Sequence, residues 1–172
     1  LDSDNVPASV YDSLIDTIGK NMYLLQDYLA VRRQVMGLDE LHMYDIYVPM
    51  VDVSEREIRY EDALKMVEAG LEPLGEDYMG YLRQGFESGW IDVCETQGKT
   101  SGAYSWGAYQ THPYVLLNYQ GTIKDVFTIA HEMGHALHTH YTNKNQPYIY
   151  SEYKIFVAEV ASPVNESLLM RH

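Results

Sequence analysis

The chain has 172 residues, 46% hydrophobic and 22% charged, a balance that excludes a disordered polymer and suffices for a buried core. Twenty-five acidic against twelve basic residues give a net charge of −13 with no Lys/Arg cluster, which argues against nucleic acid and anionic membrane as partners. No run of ~18 apolar residues and no basic leader are present, so neither a membrane span nor a signal peptide is expected, and the single cysteine, Cys94, fits a reducing compartment.

In chain order, apolar Val10, Leu14, Ile18, Met22, Leu25 and Leu29 recur at helical spacing, which predicts one long helix from about Pro7 to Met36, stopped by Gly37. Met43 to Val48 reads as a short strand or extended segment before Pro49. Tyr60–Leu71 reads as a second helix, Pro73 interrupts, and a third helix runs from Gly75 to Glu87 before Gly89. Glu55, Glu57, Glu61 and Asp62 read as a solvated acidic face. Trp90 to Cys94 is strand-like, with Cys94 expected to be buried. Ala103 to Tyr109 alternates small and aromatic residues and suits an edge strand, and Tyr114 to Tyr119 is a further strand. Thr122 to Tyr141 is helical, Thr142 to Pro147 a polar loop, and Ser151 to Leu169 a final helix with a kink at Pro163. The expectation is a mainly α protein with a small β-sheet (α+β), organised as a helical part (1–89), a sheet (90–120) and a helix pair (121–172) of one domain.

Residues 131–135 read His-Glu-Met-Gly-His within a predicted helix. Two histidines four apart lie ~40° apart around a helix axis and ~6 Å along it, so both can face one zinc ion. Glu132, turned ~100° from His131, borders the metal as a general base for water. A catalytic zinc takes a third protein ligand. Counting ~9 Å from His135 to the helix end and ~11 Å back along an antiparallel partner selects Glu159, with Glu166 two turns further on the same face as an outer partner.

The remaining candidates carry weaker signals. His138 follows His135 on nearly the same face, and reads as packing or as lining near the metal. His140 reads as solvated, Asp125 as a helix N-terminal charge, and Met133 and Ala136 as core. Gly134 suggests close approach by a neighbouring strand. Gly102, Ala103, Tyr104 and Ser105 form a segment along which a peptide can add as a strand.

The run His131-Glu132-Met133-Gly134-His135-Ala136-Leu137-His138, with Phe156-Val157-Ala158-Glu159-Val160-Ala161-Ser162, resembles the thimet oligopeptidase and oligoendopeptidase F family. Gly102-Ala103-Tyr104-Ser105, Pro113 to Asn118 and Tyr44 to Tyr47 agree with it. The resemblance implies a zincin-like helix pair and a cytoplasmic metalloendopeptidase that cuts oligopeptides. It implies one zinc per chain on His131, His135 and Glu159, with Glu132 as base. It also implies a piece of a longer enzyme whose oxyanion groups lie beyond Glu159, and hence self-association through apolar surface left uncovered. The rival expectation is an inactive zinc-binding or peptide-binding fragment.

Overall fold

A computed structural model describes residues 4–50 and 57–172, and Glu55 of the acidic group lies outside them. The chain divides into two units, Leu1–Glu55 and Arg56–His172.

The first unit is two helices, α1 (Ala8–Lys20) and α2 (Met22–Val35), where the sequence periodicity predicts one. Asn21 breaks the run at φ −109°, ψ 12°, and its side chain donates to Thr17 O at 2.7 Å. An asparagine that satisfies backbone groups with its own amide offers the chain an alternative to continuing the helix. Arg32 is buried, and its guanidinium donates to Asp45 O and Val48 O. Met43–Tyr47 is a 3₁₀ turn and not a strand. The Asp45 carboxylate accepts the His42 N–H at 2.8 Å, a reciprocal cap that starts a helical turn.

The second unit is built around one helix. Helix α3 (Tyr60–Leu71) opens with Glu61 and Asp62, acids that suit the positive helix start, and both are exposed as expected. Pro73 sits in a 3₁₀ turn, and Gly75 at φ 87° leads into α4 (Glu76–Glu87). Three short strands follow: β1 (Ile91–Asp92), β2 (Tyr104–Trp106) and β3 (Tyr114–Leu116). Their order is β1-β3-β2, with β1 parallel and β2 antiparallel to β3, so β2 is an edge. Ser105 pairs with Val115, which is buried, so these two face the core while Tyr104 and Trp106 face solvent. Cys94 is exposed and not buried, because the strand ends at Asp92 and the chain turns out toward Lys99.

Helix α5 (Ile123–Asn145) is longer than the sequence suggests, since Thr142 to Asn145 continue it. Val126, Ile129, Ala130, Met133, Ala136 and Leu137 of α5 are fully buried against Val67 and Leu71 of α3, Leu82 of α4 and Val115 of β3. Each of the Val, Ile, Met and Leu side chains contributes roughly 1.5–3 kcal/mol by leaving water, and each alanine methyl less. A 3₁₀ turn (Tyr148–Tyr150) and an extended stretch lead to α6 (Ile155–Leu169), which starts four residues later than expected.

Helix α6 meets α5 at Gly134. A Cβ there would stand 2.9 Å from Ser162 Cα and 3.1 Å from Ala161 O, so the close neighbour is a helix and not a strand. A second close crossing puts Gly70 of α3 against Leu169 of α6. Asn165, buried on α6, donates to Ala130 O at 2.9 Å and shares a hydrogen bond with Tyr78, whose burial pushes its hydroxyl up to about 12. Pro163 lies inside α6 and offers no N–H to the Glu159 carbonyl. The outer face of α6 exposes Ile155, Phe156, Val157, Val160 and Val164. No helix among the described residues is long and apolar enough to cross a membrane.

Candidate metal centre

Helix α5 has a fixed start. Thr122 Oγ1 accepts the Asp125 N–H at 3.2 Å while Asp125 Oδ2 accepts the Thr122 N–H at 2.8 Å. This capping box ties down two of the N–H groups that lack intrahelical partners, and it sets the phase of every residue that follows. Asp125 is therefore a helix-start charge, not a partner of a ligand histidine.

Two turns later His131 and His135 point their Nε2 atoms at each other across 3.1 Å. Glu159 of α6 places Oε2 3.7 Å from the first and 3.6 Å from the second. The three form a group able to hold a metal ion. Ligands at ~2.0–2.1 Å around a tetrahedral zinc stand about 3.3 Å apart, so this triangle fits that ion, and two imidazoles with one carboxylate are a donor set zinc accepts.

The other face of each group is also occupied. His131 Nδ1–H donates to Glu166 Oε1 at 2.5 Å, which leaves Nε2 with its lone pair toward Glu159. The Ala158 backbone lies beside the His135 ring. Its pKa is lowered, first by burial and then by His131, so the ring favours the neutral form that binds metals. Ser162 Oγ–H donates to Glu159 Oε2 at 3.0 Å.

Glu132 is buried, at 7% exposure, and does not join the triad. The Ser105 backbone of β2 lies beside its carboxylate, and Oε2 is buried with no hydrogen-bond partner among the described residues. Burial raises its pKa, with His131 opposing, so the group is biased toward holding a proton. A cavity of about 530 Å³ opens beside Glu132 and His131, walled by Gly102, Ala103, Leu117 and Phe127. Asn118 Nδ2 donates to Thr100 O and Gly102 O, and so holds the loop that enters β2.

The structure thus gathers His131, Glu132, His135, Glu159 and Glu166, and brings Ser105 to Glu132. Gly102 and Ala103 line the cavity, whereas Tyr104 turns its ring to the outer face of the sheet. His138 stacks on Tyr153 with ring centres 4.0 Å apart. His140 is not solvated but packed against Tyr81 at 4.3 Å. The Ala158 backbone, Ser162 and the Ser105 backbone are contacts that spacing does not reveal, because main-chain groups carry no signal of their own and Ser162 enters the sequence only as the end of the run that begins at Phe156.

The family model for peptidase family M3 matches residues 1–172. Oligopeptidase PepF of Bacillus subtilis (strain 168) is 48% identical over 98% of the chain, which covers 25% of that relative. An oligoendopeptidase F homolog of Lactococcus lactis subsp. lactis is 45% identical over 98% of the chain and 28% of its own length. The crystal structure of oligoendopeptidase-F from Enterococcus faecium superposes with a TM-score of 0.57 at 27% identity, over 98% of this chain and 21% of that one. The chain spans about a quarter of the length of the relatives it matches. By sequence and by fold, it belongs to peptidase family M3.

Proposed function

We propose that the chain carries the metal centre of a zinc-dependent endopeptidase acting on short oligopeptides, with one zinc held by His131, His135 and Glu159. The observation that supports this most is the triangle of 3.1, 3.6 and 3.7 Å between two imidazole nitrogens and a carboxylate oxygen, with a buried carboxylate beside it. Zinc held by these residues would supply Lewis acidity toward a scissile carbonyl and toward water.

Glu132 then serves as the base. Its raised pKa suits a carboxylate that takes a proton from the attacking water and passes it to the departing amine. The Ser105 backbone lies beside it. The unpaired side of β2 is where a peptide can add as a further strand, and Gly102 and Ala103 leave room for it beside the cavity. Main-chain bonding of that kind suits varied peptide sequences. The relatives' names, oligopeptidase and oligoendopeptidase, support the substrate class. A single cysteine suits the reducing cytoplasm.

The test is elemental analysis of the purified chain after zinc loading and dialysis, followed by hydrolysis of a mixed oligopeptide pool by the enzyme that carries this sequence. One zinc per chain and chelator-sensitive cleavage are expected. Zinc content unchanged by His135→Ala would overturn the ligand assignment.

A further inference from the structure

Each side chain of the triad touches one more group, and all three of these groups lie on α6. The Ala158 backbone lies beside His135, Ser162 Oγ–H donates to Glu159, and Glu166 Oε1 accepts from His131. Positions 158, 162 and 166 are four apart, which places them along one side of the helix. One stripe of α6 therefore supplies a second contact for every member of the triad.

Of the two side chains that make contacts from this stripe, Ser162 and Glu166, Ser162 is the one to which spacing assigns no role. A serine inside a helix commonly turns its hydroxyl back to the carbonyl four residues earlier. For Ser162 that residue is Ala158, whose backbone lies beside the His135 ring. The serine is fully buried, so water does not replace the lost acceptor. Its hydroxyl goes instead to Glu159 Oε2, the oxygen that faces both histidine nitrogens. Glu159 is otherwise loosely held, with 46% of its side chain exposed. Its main-chain carbonyl also lacks the N–H that any residue but proline would offer from position 163.

We propose that Ser162 is the positioning residue of the third ligand, holding one oxygen of Glu159 toward the two histidines and completing an outer shell drawn from a single helix face. The proposal rests on the reading of His131, His135 and Glu159 as zinc ligands. Ser162 touches neither the metal nor the peptide in this role.

The experiment compares zinc affinity of the chain and of Ser162→Ala by competition with a chromophoric chelator, alongside thermal unfolding of both metal-free proteins and the visible spectra of both cobalt-loaded proteins. Outer partners of metal ligands are worth ~10–100-fold in affinity, so a loss of about tenfold is expected, with a changed cobalt spectrum and an unchanged metal-free melting temperature. Equal affinity and identical cobalt spectra would overturn the role of Ser162 and leave the triad standing. A fall in metal-free stability that accounts for the whole affinity loss would also overturn it, since the hydroxyl would then act through packing. If the unsubstituted chain takes up no zinc, the ligand reading itself fails.

Discussion

Four histidines on α5 share a helix and have opposite fates. His131 and His135 turn ring nitrogens toward Glu159, and each has its other side engaged by α6. His138 and His140, one turn further on, present ring faces instead. His138 lies flat on Tyr153, whose hydroxyl pairs with Thr139 at 2.5 Å, and His140 packs between Tyr81 and Trp90. Each keeps one buried ring nitrogen with no hydrogen-bond partner among the described residues. Residue type does not decide the role. What decides it is whether the neighbouring element brings a carboxylate or a tyrosine.

Substitutions along the helix can break this contrast. The largest effect is expected from His131→Ala or His135→Ala, which should each remove stoichiometric zinc as read by elemental analysis. Next comes Glu132→Gln. It should keep zinc yet lower kcat of the active enzyme by ~10²–10⁴, because a positioned base is lost while the triad is intact. Retained turnover at full zinc occupancy would remove Glu132 from the chemistry.

A packing change between the two histidines should act on both stability and metal. Gly134→Ala drives a Cβ to within 2.9 Å of backbone on α6, a neighbour that cannot rotate away. Overpacking of this kind costs roughly 1–3 kcal/mol, and denaturant unfolding would show it, together with weaker zinc binding as α6 is pushed off. An unchanged midpoint would mean that the helices separate freely.

The smallest effects sharpen the comparison from the other side. His138→Phe and His140→Phe should leave zinc content unchanged and stability within about 1 kcal/mol, since each removes a buried nitrogen that has no partner. Burial holds the His140 pKa below its ordinary value, with Lys144 adding to the effect and Asp77 opposing it. A depressed folded-state pKa contributes stability above the unfolded value of ~6.5 that is lost as pH falls below it. His140→Phe should therefore flatten the acid side of the stability profile, and unfolding midpoints between pH 7 and 5 would check this.

Much of the centre is legible in the sequence because a metal demands particular residue types at helical spacing. His131, Glu132 and His135 follow from that demand alone. Glu159 follows from counting along two antiparallel helices, although the lengths used in the count differ from those found. α5 runs ten residues past His135, and Glu159 is only four residues into α6. The two errors in the helix ends add, since α5 runs four residues further and α6 starts four residues later, and the nine-residue connection absorbs the difference. The first unit was less legible, since Asn21 interrupts a periodicity that continues on both sides of it. The surroundings of the triad were illegible for another reason. Ser105 and Ala158 act through backbone groups, which every residue possesses.

That connection, from Gln146 to Lys154, has a further consequence. The register of α6 on α5 is set by Gly134 against Ser162 and by Asn165 on Ala130, contacts inside the helix pair and remote from the turn that joins it. Doubling a flexible loop costs only ~0.6 kcal/mol in closure entropy. The link can therefore gain or lose residues during divergence while the geometry of His131, His135 and Glu159 stays fixed. The interval between H-E-x-x-H and the third ligand is then an evolutionary variable, and the glycine that lets the helices touch is the invariant to look for.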